Sequence, residues 1–126
     1  MAREPIDINL SLDRPEARYA PGDTIVGTAR FNRRAGDWTA DYADVALFWR
    51  TEGKGDRDEG IVAVANGVRK KGERAAGAFD VKFRFTVPEM PWTYHGRTLK
   101  IHWKLGAYAR GPEVDAGVEI DLEVRP

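Results

Sequence analysis

At 126 residues the chain has the length of one domain, enough to bury about two thirds of its unfolded surface in a single core. Twenty basic residues balance twenty acidic ones, so no global field draws in nucleic acid or an anionic membrane, and the absence of cysteine excludes disulfides, thiol chemistry and thiolate metal sites. The start MAREPIDINL has no apolar stretch behind a basic one and no run approaches a membrane span, so a single domain over residues 1–126, cytoplasmic and without an integral membrane segment, is expected.

Seven strand-like segments follow one another between turn signals. Ile6, Ile8, Leu10 and Leu12 alternate with Asp7, Asn9 and Ser11, and this first strand ends at Asp13-Arg14-Pro15. Pro21-Gly22 is a turn, and Thr24 to Asn32 is the second strand; Gly27 inside it marks a bulge or a close backbone approach. Arg33 to Asp41 reads as a loop. Tyr42 to Thr51 is the third strand, and its Val45-Ala46-Leu47-Phe48-Trp49 run, apolar on both faces, predicts a central position. Glu52 to Gly60 is too charged and glycine-rich to pack and is an exposed loop. Ile61 to Val68 is the fourth strand, and Arg69 to Ala78 a polar connection.

The next two strands carry the clearest pattern. Phe79, Val81, Phe83, Phe85 and Val87 fall on every second residue, as do Leu99, Ile101, Trp103, Leu105 and Ala107. Successive side chains of a strand point to opposite faces, so each run is half-buried and antiparallel, with Phe83 and Trp103 directed inward. Gly111-Pro112 turns the chain, and Val118, Ile120, Leu122 and Val124 line one face of the last strand, with Glu119, Asp121 and Glu123 on the other. No stretch sustains a helical apolar period, and there is no internal repeat. The fold class is all-β, an immunoglobulin-like antiparallel β-sandwich of about seven strands. Sheet order and the isomers of Pro88, Pro91 and Pro112 are not readable at this level.

Two segments carry a family resemblance. Tyr19-Ala20-Pro21-Gly22-Asp23-Thr24-Ile25-Val26-Gly27 has the form of a tyrosine, proline-glycine-acid turn running into a strand. A phenylalanine-rich strand ending in Val87-Pro88 is followed by Pro91, Thr93, Tyr94 and Gly96, then by a strand that ends in a small residue and Tyr108. In this order and spacing the two segments resemble the arrestin N-terminal domain, and the resemblance covers most of the chain. It implies an arrestin-like sandwich acting as a non-enzymatic adaptor or scaffold that grips protein partners through sheet edges and loops. The resemblance implies nearer analogues in the arrestin-like sporulation-control proteins of bacteria and the arrestin-like retromer subunit, both two-domain chains. A ligase-recruiting proline-proline-x-tyrosine motif, a clathrin-binding tail and an acidic C-terminal tail are absent from the sequence.

Chemistry is sparse. A catalytic histidine needs a nucleophile and an orienting carboxylate, but His95 and His102 come with one serine only, Ser11 in mid-strand, and no catalytic residue, cofactor or metal site is assigned. The acid clusters Asp37/Asp41/Asp44 and Asp56/Asp58/Glu59 lack the spacing of a dedicated calcium loop and read as solvated. Arg69, Lys70, Lys71 and Arg74 form the densest basic patch and Arg33-Arg34 a smaller one; together they could hold a phosphate group, while a solvated connection is the plainer reading. Trp49 and Trp103 read as core, and Trp38 and Trp92 as loop residues able to bind a sugar or a partner, with capping of one sandwich end the plainer role for Trp92.

The candidate partner-binding residues are therefore Trp92, Tyr94, Arg69, Lys70 and Lys71. An open edge at Gly117–Val124 or at Ile6–Leu12 would pair with another chain, giving a homo-oligomer or a bound peptide. The competing classes are a carbohydrate-binding module using Trp38 or Trp92 and a calcium- and lipid-binding sandwich using the aspartates.

Overall fold

The computed structural model describes residues 6–53, 58–96 and 99–126. Among these residues there is no helix. The strands in chain order are β1 (Asp7–Leu12), β2 (Arg18–Tyr19), β3 (Thr24–Asn32), β4 (Trp38–Ala40), β5 (Tyr42–Gly53), β6 (Glu59–Asn66), β7 (Glu73–Ala75), β8 (Ala78–Thr86), β9 (Tyr94–His95), β10 (Leu99–Arg110) and β11 (Asp115–Val124). The seven long ones are the seven predicted from alternation. The four short ones lie in segments read as turns or connections, because two or three residues are too few to display a period.

One sheet has the order β1-β3-β8, and the larger one β2-β11-β10-β5-β6, with β9 paired to β10. All long pairings are antiparallel; only the two-residue β2 runs parallel to its neighbour β11. β4 and β7 form a separate two-stranded ribbon. The inward faces of the two large sheets meet in one dry core. Ile25, Ala29, Phe31, Val81, Phe83 and Phe85 come from one sheet, and Val45, Leu47, Trp103, Leu105, Leu122 and Val124 from the other. Phe83 and Trp103 retain 4% and 0% of their exposure, so the alternation predicted their direction correctly.

β5 occupies the interior position its doubly apolar run implied, flanked by β10 and β6. A bulge between Leu47 and Phe48 interrupts its register with β6. Phe48 leaves the core for the outer face, where the Arg50 guanidinium covers its ring at 5.2 Å. Gly27 is explained by close approach: the Phe83 ring lies across it from β8, where a Cβ would collide with that ring and with the Ser11 carbonyl. On the outer face Tyr108 lies over Gly106 and Gly117 in the same manner.

Two sequence expectations are corrected here. Trp38 is no loop platform: β4 carries it inward, its side chain is fully buried, and its ring stacks near Phe79 at 6.3 Å. Arg33 is no surface base. It is 7% exposed, donates to the Asp37 carbonyl at 2.9 Å and pairs with Glu113 at 3.0 Å, fastening the β3 exit to the β10–β11 turn. Its aliphatic stem and paired head satisfy burial in a way that composition alone does not reveal.

Candidate partner-binding surface

The two segments that carry the family resemblance meet at one end of the sandwich. The Gly22 N–H donates to the Val87 carbonyl at 2.8 Å, and the Val87 N–H to the Asp23 carbonyl at 2.9 Å. Gly22 sits at φ +88°, a region that favours glycine, which is why the turn is spelled Pro-Gly. The Asp23 carboxylate accepts from the Ala20 N–H at 2.9 Å and from Arg14 at 2.7 Å. Those two contacts, the backbone one first, hold its carboxyl below the ordinary aspartate range.

The loop from Val87 to Gly96 is pinned from several sides. Trp103, inside the core, donates its indole N–H to the Pro91 carbonyl at 2.9 Å. Thr93, itself buried, donates its N–H to the Val124 carbonyl and accepts the Val124 N–H on its hydroxyl, both at 2.8 Å. These bonds extend the sheet where β10 no longer reaches β11, since the register of that pair ends at Trp103 and Leu122. Tyr94 and His95 then join β10 opposite Ile101 and Lys100. The Met90–Pro91 peptide is cis.

This pinned loop displays apolar side chains. Met90 is 73% exposed, Trp92 46%, Tyr94 53% and Leu99 42%; they are four of the eight large exposed hydrophobics among the described residues. Trp92 is held by its own N–H, which donates to the Glu89 carbonyl at 2.9 Å. Tyr94 lies over Gly96, where a Cβ would strike its ring. Trp92 and Tyr94 thus stand as exposed aromatics on a loop whose backbone is fixed by these bonds. On the far side of Val124, β2 borders an open cleft of about 460 Å³ lined by Arg14, Arg18, Arg125, Asp23 and Glu123. Its guanidinium groups are paired, Arg14 with Asp23 at 2.7 Å and Arg18 and Arg125 with Glu123 at 3.1 and 2.6 Å.

No protein-family profile matches the chain, and no curated protein matches it. Among solved structures, the sporulation control protein Spo0M from Bacillus subtilis superposes with a TM-score of 0.58 at 16% sequence identity, over 96% of this chain. The fold is arrestin-like. This chain spans 49% of the length of that neighbour.

Within this arrestin-like fold the sequence-predicted residues divide between opposite ends. Trp92 and Tyr94 stand beside the start of β10 at Leu99. Arg69, Lys70 and Lys71 are exposed in the turn between β6 and β7, and Lys71 lines a cavity of about 470 Å³ with Asp41 and Arg110 at the finish of β10. A twelve-residue strand such as β10 spans about 36 Å. The aromatic and basic candidates are therefore two surfaces and do not form one site.

Sequence reasoning missed the staple between Thr93 and Val124, whose only trace is a lone threonine between two exposed aromatics. It also missed the approach of the two histidines. β9–β10 pairing brings the His95 and His102 rings to 5.5 Å, with His102 3.0 Å from Glu52. Of the acid clusters, Asp37 accepts the Gly77 N–H at 3.1 Å and serves as a loop tie, while Asp56 lies outside the described residues. Among the described residues no group of three or more His, Asp or Glu is arranged to hold a metal ion.

Proposed function

We propose that the chain is a non-enzymatic adaptor or scaffold module, working in the cytoplasm, that holds a protein partner against the Val87–Gly96 loop with Trp92 and Tyr94 as anchors. The observation that carries this reading is the combination of exposure and fixation: Met90, Trp92 and Tyr94 are exposed on a backbone tied to Val124 and Trp103, with exposed Leu99 at the start of β10. Leaving apolar surface wet costs about 25 cal/mol per Å², and a preformed loop loses little entropy when a partner covers it. Arg69, Lys70 and Lys71 provide a second, separate contact surface for acidic groups. The fold neighbour Spo0M is a sporulation control protein, and a control role suits a regulatory adaptor. The even charge balance argues against nucleic acid as a partner.

A sugar platform is the second reading, favoured by the half-exposed Trp92 face and weakened by the burial of Trp38. Affinity capture from the native cell extract, run in parallel with wild type, the double variant Trp92→Ala/Tyr94→Ala and the double variant Lys70→Glu/Lys71→Glu, tests the proposal. Each anchor is expected to contribute about 2 kcal/mol, a factor of about 30, so the double aromatic variant should weaken partner binding by up to about 900-fold. Equal recovery on wild type and the aromatic variant would remove the loop from consideration. A thermal shift with one member of a glycan panel, abolished by Trp92→Ala, would replace the protein partner by a sugar.

A further inference from the structure

The edges of the two sheets are guarded unequally. On the smaller sheet β1 turns Asp7, Asn9 and Ser11 outward, and β8 turns Asp80, Lys82 and Arg84 outward. At one end of the larger sheet β11 presents Glu119 and Asp121, with β2 laid across its last residues. β6 stands at the other end and, among the described residues, pairs on one side only, with β5. From Ile61 to Asn66 it reads IVAVAN, with no charge and no proline, and its outer face exposes Ile61 at 69% and Val64 at 47%. The bulge opposite Leu47/Phe48 protects only its entrance; the regular stretch beyond it, Ala63 to Asn66, is an unblocked edge.

The ends of β6 say what fits that edge. The described charged residues at its entrance, Glu52, Asp58 and Glu59, are all acidic, and the chain leaves it through Arg69–Arg74, with four bases against one carboxylate. An antiparallel copy of the same strand brings the acidic entrance of each chain toward the basic exit of the other. A parallel copy would set like charge against like. With the two-fold axis at Val64, each Val64 faces its counterpart on the outer side and Ala63 faces Ala65 on the core side, so the opposed pairs within the regular stretch share a face.

We propose that two copies of this chain associate through antiparallel pairing of their β6 edges, forming one continuous sheet across an isologous two-fold interface. The aromatic loop takes no part in this contact, so a failure of the Trp92/Tyr94 reading leaves it untouched, while the basic turn is shared between the two. Arg69, Lys70 and Lys71 steer the association, and added salt weakens it.

The test is the mass of the full chain by sedimentation equilibrium over a concentration series, with folding followed by near-ultraviolet circular dichroism. Wild type should move from monomer to dimer. Val64→Lys and Val64→Glu each place like charges across the axis and should raise the dimer dissociation constant by about tenfold or more, while their equimolar mixture recovers the dimer. Ile61→Lys, at a still more exposed position, should weaken association in the same way, and Val26→Lys on the opposite sheet should leave the mass unchanged. A wild-type monomer at every concentration, a folded Val64→Lys or Ile61→Lys chain with undiminished dimer mass, or a Lys/Glu mixture that stays monomeric would each overturn the proposal.

Discussion

Tyr19 shows how a single buried hydroxyl ties this fold to pH. Its ring is 3% exposed and its O–H donates to Asp13 at 3.0 Å. Burial first, and the carboxylate second, push its phenol from 10.0 up to about 12. Tyr108, lying over two glycines with its O–H donating to Glu119 at 2.7 Å, is raised for the same two reasons. Both groups hold their protons more tightly folded than unfolded. Between pH 10 and pH 12 the folded chain therefore binds more protons, and stability falls as pH rises through that window while remaining complete below it. Urea midpoints measured at stepped pH across this interval should drop for wild type and drop less steeply for Tyr19→Phe. Parallel, flat profiles for the two proteins would show that Asp13 and the core do not hold that proton.

At the scale of elements, long strands announce themselves and short ones do not. β8 places four apolar residues on one face and β10 six, and the pattern fixes both strand type and inward direction. Gly27 was readable as a bulge or a close approach, and the ring that decides between them, Phe83, emerges only once β3 and β8 are in register. β4 has three residues, so nothing distinguished Trp38 from Trp92 as tryptophans in glycine-containing loops; one proved fully buried and the other half exposed. The same limit hid the Thr93 staple, which depends on where β11 ends in space. Thr93→Val keeps the shape and removes the acceptor, leaving the buried Val124 N–H unpaired. The variant should lose about 1–3 kcal/mol in urea unfolding and show faster amide exchange at Val124. An unchanged midpoint with unchanged exchange would mean the loop is held by other contacts.

For the whole molecule, the sandwich was legible from sequence, as was the identity of the aromatic loop and the basic turn. Their separation was not, because alternation gives the face of a residue and says nothing about which end of a sheet it occupies. Nor did it show that β6, uncharged from Ile61 to Asn66, is a sheet edge. The resulting picture is a stiff two-sheet frame that keeps Trp38 and Trp103 dry and sets Trp92 out in water at the end where the Pro-Gly turn and the end of β8 are bonded. Quenching of tryptophan fluorescence by acrylamide, compared between wild type and Trp92→Phe, tests this most directly. Wild type should hold one readily quenched fraction, and Trp92→Phe should lose most of it and emit at shorter wavelength. Quenching curves that coincide for the two proteins would contradict the presentation of Trp92 on which the binding account rests.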